Sequence, residues 1–325
     1  MRRVYACVCY DNAVRAAERA RVPAPCLLPR FVMRLALPLP FAAALAAAPL
    51  AAASLAALAL TPDAAAAQTP GQPPAQPASA GTQPAAPRGR PEDTEVYTPV
   101  PPVVTPGAMA ADAPPAPPPS DAVVLFGGQN LNEWVNVKDG APAGWTVADG
   151  ILTVNKAAGN IETRRRFGSY QLHLEWRVPA GITGSGQLRG NSGVFLASTG
   201  PGDSGYELQI LDSYQNNTYV NGQAASVYKQ FPPLANATRP DGQWQTYDVL
   251  WTAPQFNADG SLKSPAYVTA LHNGVLVQDH TALRGETVYI GQPAYKAHGP
   301  APIKLQAHGD PSPPISFRNI WVRPR

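Results

Sequence analysis

Tyr170-Gln-Leu-His-Leu-Glu-Trp-Arg-Val178 decides the fold. In an extended chain Leu172, Leu174 and Trp176 fall on one face and His173, Glu175 and Arg177 on the other. That alternation predicts a strand with one buried and one polar face. The same period recurs on either side of it. Tyr206, Leu208 and Ile210 oppose Glu207 and Gln209. Between Trp145 and Val154, two short strands flank Asp149-Gly150, and Val268–Leu271 and Val275–Val277 flank His272-Asn273-Gly274. Both are hairpin signals. Ile303–Gln306 and Ile315–Val322 close the chain. No stretch keeps a helical period for three turns. Many short strands punctuated by turns predict an all-β sandwich or barrel.

The patterned part is residues 122–325. All six tryptophans and all five histidines lie after Asp121, whereas sixteen of the 38 prolines fall between Gln68 and Asp121. About 200 residues suffice for one domain with a real core. Residues 68–121, rich in Pro, Ala and Gln, read as a disordered, partly polyproline linker, because they lack the apolar surface that would offset chain entropy. Upstream, Arg34 precedes an apolar run from Leu35 to Leu60 and an Ala65-Ala66-Ala67 site. Residues 33–67 are thus expected to be a secretory signal peptide. A retained membrane anchor is the competing reading, made poor by Pro38, Pro40 and Pro49. Residues 1–32 fit neither pattern and are expected to be an extension upstream of a true start at Met33. The expectation is a periplasmic or secreted protein that touches a membrane only through an uncleaved leader.

Cysteine and charge agree with this division. Cys7, Cys9 and Cys26 all precede Met33, so the rest of the chain has no disulfide and no thiol nucleophile. The net charge of +3 comes from the leader: residues 1–34 hold seven arginines against Asp11 and Glu18. The remainder is close to neutral and carries no footprint for nucleic acid.

Several residues could carry chemistry. Gly202-Asp-Ser-Gly205 is similar to a protease nucleophile loop, but no histidine stands in a matching context upstream, so it reads as a turn before the next strand. No nucleophile elbow, phosphate-binding loop or zinc-protease motif is found. Trp244 and Trp251 could stack on sugar rings or fill the core. Glu175, Glu207, Gln209, Gln306, His308 and Arg318 form a polar set of strand positions, suited either to a sugar-binding surface or to a solvated outer face. Glu207 has Gln209 beside it and Asp212 after its strand, a grouping able to move a proton or bind hydroxyls. The five histidines are scattered without ligand spacing, so no cofactor is assigned and a divalent metal stays open.

Six segments in order carry a resemblance: Leu125-Phe-Gly-Gly-Gln-Asn-Leu-Asn-Glu-Trp134, Gly144-Trp-Thr-Val-Ala-Asp-Gly-Ile-Leu152, Gly190-Asn-Ser-Gly-Val194, Gly205-Tyr-Glu-Leu-Gln-Ile-Leu-Asp212, Leu305-Gln-Ala-His-Gly309 and Phe317-Arg-Asn-Ile320. Over residues 122–325 the chain resembles the 3-keto-disaccharide hydrolase family. The resemblance implies a concanavalin-like jelly-roll β-sandwich and a carbohydrate substrate oxidised at C3. It implies Glu207 and His308 as catalytic groups, base and acid in either order. Asn191, Ser192, Gln209, Asp212 and Arg318 are implied as substrate-binding residues. Lys229 departs from the glycine that relatives often have after the tyrosine of Val227-Tyr-Lys229, and is expected to tune specificity. A C3 ketone would allow C2 proton abstraction, elimination at C1 and hydration. Two other readings remain. A direct glucanase-type hydrolase would need a carboxylate pair such as Glu175 and Glu207. A non-catalytic carbohydrate-binding module would use the same polar face without turnover.

Overall fold

The computed structural model describes residues 89–110 and 113–325. The expected extension 1–32, the expected signal peptide 33–67 and the first part of the expected linker lie outside the described residues. Fifteen strands follow in chain order. They are β1 (Val123–Phe126), β2 (Trp134–Asn136), β3 (Thr146–Ala148), β4 (Ile151–Thr153), β5 (Ile161–Thr163), β6 (Tyr170–Arg177), β7 (Ser192–Ser198) and β8 (Gly205–Ile210). Then come β9 (Gln245–Thr252), β10 (Gln255–Phe256), β11 (Leu262–Ser264), β12 (Tyr267–His272), β13 (Val275–Ala282), β14 (Lys304–Leu305) and β15 (Ser316–Pro324).

Two antiparallel sheets form a sandwich, as the alternation predicts. The larger runs β13-β12-β9-β6-β15-β4-β3, with β1 also on β15; the smaller runs β2-β5-β14-β7-β8. β10 and β11 make a separate ribbon. The core lies between the sheets. Leu172, Leu174 and Trp176 of β6, with Tyr247, Val249 and Trp251 of β9, belong to one buried cluster with Val194 and Leu196 of β7 and Tyr206, Leu208 and Ile210 of β8. The side chains opposite these in the alternation point away from the core. Both predicted hairpins are present, and both turn on paired positive φ: Asp149 and Gly150 (51° and 77°), Asn273 and Gly274 (54° and 80°).

β15 breaks the alternation once. Its pairing with β6 slips between Arg318 and Trp321, and Asn319 there has φ 49°. This bulge lets Phe317 and Ile320 both face the core. It also brings Asn319 over β6, where its amide donates to Glu175 Oε1 at 2.9 Å. Glu175 accepts from Arg318 Nε at 2.6 Å. His173 lies 2.7 Å from Asp248 through Nδ1. Burial alone would lower the His173 pKa, but Asp248 and Glu175 outweigh it and raise the value to about 9. This outer face of the large sheet is therefore a hydrogen-bonded cluster, not an open binding surface.

The expected disordered linker is corrected over residues 89–110 and 113–121. These form a strap laid on the domain, extended apart from a short 3-10 turn at Pro91–Thr94. Asn221 accepts from the Val96 amide at 3.0 Å and donates to the Thr94 carbonyl at 2.9 Å. The Val104 amide donates to the Asn236 carbonyl, and the Asn236 amide donates to the Pro102 carbonyl. Arg239 donates to the Gly107 carbonyl, Arg318 to Ala113 and Asn319 to Ala116. Proline removes amide donors but leaves carbonyls free. The strap is held largely through those carbonyls, which is why a composition reading misses it.

Candidate active site

The site lies on the outer face of the small sheet. β8 turns Tyr206, Leu208 and Ile210 inward, so Glu207 and Gln209 face out. The chain after β14 adds Gln306 and His308, and Asn191 stands just before β7. Asp203, in the loop before β8, and the segments around Tyr228 and Thr287–Tyr289 complete the walls. Together they enclose a cleft of about 310 Å³. Two other grooves, of about 410 and 570 Å³, flank the Thr199–Ser204 loop. The larger shares Asp203 and His308 with the cleft. Neither has Glu207 in its lining. The smaller cleft is the candidate site because it alone of the three unites the two proton-transfer candidates.

Glu207 is 5% exposed. Burial pushes its carboxyl pKa well above the usual range; the charge of Asp203 adds to this and the Lys304 ammonium opposes it. Gly193, on the adjacent strand, makes room for that side chain. A Cβ there would collide with Glu207 Oε1 and stand 3.0 Å from Cδ. His308 has its Nδ1 3.1 Å from Asp310 Oδ2. Asp310 in turn pairs with Lys156 at 3.2 Å. Burial would raise the Asp310 pKa, but His308, Ser312 and Lys156 hold it down at about 2. Asp310 is thus an ionised partner that can orient the imidazole.

The amides form a third wall. Gln209 Nε2 donates to Gln187 Oε1 at 3.0 Å and to Asn191 Oδ1 at 3.4 Å. Asn191 Nδ2 donates to the Gln187 carbonyl at 2.9 Å and lies 3.5 Å from His308 Nε2. The side-chain oxygens of Gln209 and Gln306 are buried without a protein partner.

Lys304 holds the loop that carries Asp203. Its ammonium, fully buried, donates to the carbonyls of Gly200, Gly202 and Ser204 at 2.8–3.0 Å. Desolvation lowers its pKa to about 8, against the pull of surrounding carboxylates. Asn160 fixes Asp203 from the other side at 2.8 Å. Among the described residues no group of three or more His, Cys, Asp or Glu side chains is placed to hold a metal ion.

Of the residues expected from sequence, Glu207, His308, Asn191 and Gln209 come together here. Ser192 does not: it faces inward and donates to the Gln306 carbonyl at 2.7 Å. Asp212 pairs with Arg189 at 2.9 Å, outside the lining. Arg318 belongs to the other sheet, bonded to Glu175 and stacked 4.3 Å over Trp244. That arrangement also separates Glu175 from Glu207. Trp251 is core. Lys229 stands behind the cleft wall, at φ 58°, the left-handed region in which glycine is at home. Sequence reading missed Asp203, Tyr228, Thr287 and Tyr289. All lie in loops without periodicity, and Asp203 sits in the Gly202–Gly205 turn that the sequence marks only as a strand boundary.

The sandwich has relatives among known proteins. A candidate glycosyl hydrolase of known structure from Parabacteroides distasonis is 52% identical, with a TM-score of 0.61, over 72% of this chain and 96% of that one. A second from the same organism is 19% identical, with a TM-score of 0.45, over 63% and 94%. A 3-keto-disaccharide hydrolase from Bacteroides thetaiotaomicron is 25% identical over 157 residues, 39% of this chain, and the match spans about half (51%) of that protein. Residues 121–323, nearly the whole sandwich, match a single family. The chain belongs to the 3-keto-alpha-glucoside-1,2-lyase-like domain family.

Proposed function

We propose that this protein cleaves 3-keto-glycosides, 3-keto-disaccharides among them, by elimination across C1–C2 followed by hydration. The observation that carries the reading is a buried carboxyl, Glu207, sharing one cleft with a carboxylate-backed imidazole, His308. A ketone at C3 acidifies the C2 hydrogen. In the tautomer whose Nδ1 proton is directed at Asp310 Oδ2, His308 presents the Nε2 lone pair and takes the C2 proton. The Glu207 carboxyl, kept protonated by burial, gives its proton to the oxygen leaving C1. The C2–H and C1–O bonds break and C1=C2 forms. Water then returns hydroxyl to C1 and hydrogen to C2. Asn191 and Tyr228 supply neutral donors for the enolate oxygen and ring hydroxyls, and the unpartnered side-chain oxygens of Gln209 and Gln306 accept from ring hydroxyls. A polar cleft without an exposed lysine suits an uncharged sugar.

Direct displacement through Glu175 and Glu207 loses its support, since those carboxylates lie on different sheets. We also propose export to the periplasm or beyond, on the strength of the leader sequence alone.

The test is turnover of 3-keto-trehalose or a 3-keto-glucoside by the full chain in deuterated water. Release of the C1 group with deuterium at C2 is expected. Glu207→Gln and His308→Ala should each lower kcat by about 10²–10⁴-fold. Near wild-type turnover in either folded variant sinks the assignment. Turnover without deuterium at C2 means displacement instead, and saturable binding without product means a binding module.

A further inference from the structure

The strap is joined to the cleft by one buried ammonium. Lys229 is 5% exposed. Its Nζ donates to the Pro91 carbonyl of the strap at 2.7 Å and to the Tyr289 carbonyl at 3.0 Å. It lies 4.6 Å over the Tyr289 ring, with Glu95 of the strap 3.8 Å away. Tyr289 lines the cleft. The neighbouring residue, Tyr228, lines it too, and its hydroxyl bonds Tyr219 at 2.7 Å. Tyr219 packs edge-on against Tyr97 of the strap. Both tyrosines of the wall are thus positioned from behind by residues 91–97.

The contact is built in, not incidental. Asn221, 1% exposed, spends both ends of its amide on the strap. The Lys229 amide donates to the Asn221 carbonyl at 2.8 Å. Without the strap, a buried amide and a buried ammonium would each lose partners, an arrangement proteins avoid. The match to the 52%-identical structure covers 72% of this chain, more than residues 122–325 supply, so it reaches into the strap.

We infer that Lys229 is a positioning residue and that the strap, residues 91–97, is a working part of the cleft wall. The inference builds on the proposed reaction but concerns the wall itself. Lys229 transmits strap docking to Tyr289 and Tyr228. Loss of the strap therefore loosens the wall and weakens substrate binding more than it slows chemistry.

Two measurements test this. In the full chain, Lys229→Met should raise KM about tenfold or more for a 3-keto-disaccharide while kcat changes less than threefold. Lys229→Arg, which keeps a cationic donor, should recover part of the loss. A folded Lys229→Met with unchanged KM overturns the inference. The second measurement needs no turnover. A protease site is placed between Gly107 and Ala113, the chain is cut, and the strap is washed away. Hydrogen exchange should rise at residues 228–231 and 287–291 and not in β12 and β13, and a synthetic peptide of residues 89–107 should restore protection. Unchanged exchange around Tyr228 and Tyr289 after strap loss overturns the inference even if 3-keto sugars are good substrates. If they are not turned over at all, the exchange result still stands, and only the proposed reaction fails.

Discussion

Burial raises the Glu207 carboxyl pKa well above its ordinary value because the folded chain denies its charged form water. Between the ordinary carboxyl value and its raised one, the native state binds a proton that the unfolded state has released. Stability therefore falls as pH rises through that window. Glu207→Gln keeps the shape without the titration. Its melting temperature should match wild type near pH 4 and exceed it at pH 8, as thermal melts across pH would check. In the proposed reaction the same proton is the one spent on the leaving oxygen. A residue that costs stability at neutral pH is the price of an acid ready to react. The sequence made this residue visible by its place opposite Leu208 in a short alternating run, and His308 by its motif. It could not reveal Asp310 as the partner of His308, because a carboxylate two residues along a turn has no period.

At the scale of the element, β7 and β8 make the site together. Gly193 is required not by its backbone but by the Glu207 side chain lying over it. Gly193→Ala should leave the sandwich folded, since a carboxyl can swing aside, yet displace the acid and lower turnover by at least tenfold. Circular dichroism beside kinetics separates the two effects. Strands were legible where an alternating face is buried, as in β6, β8 and β12. Legibility failed where an element obeys contacts made across the molecule. β15 could be seen as a strand, but not its bulge or its place in the other sheet, and so Arg318 was expected to bind substrate when it belongs to Glu175. Ser192 and Asp212 share motifs with true cleft residues but stand where the strand turns them toward the core or an arginine.

The whole molecule is larger than its sandwich. Composition set the domain boundary at residue 122, and by composition alone that was reasonable, since a proline-rich stretch seldom folds by itself. The strap does not fold by itself. It borrows donors from Asn221, Lys229, Arg239 and Asn319. A chain beginning at 122 leaves Asn221 and Lys229 short of partners, at about 1–3 kcal/mol each if they stay buried. Compared with a chain beginning at 89, it should melt about 5–10 °C lower, as calorimetry on the two would measure.

The clasp around Lys304 has a consequence for how such a protein can change over generations. Its ammonium holds three backbone carbonyls, and every residue type offers the same carbonyl. The shape of the Thr199–Ser204 loop is thereby largely uncoupled from the identity of its side chains, Gly202 with its φ of 60° aside. Asp203, which faces the cleft, can be exchanged without dismantling the loop. One lysine beneath the loop leaves the surface above it free to explore new ligands while the scaffold stays put.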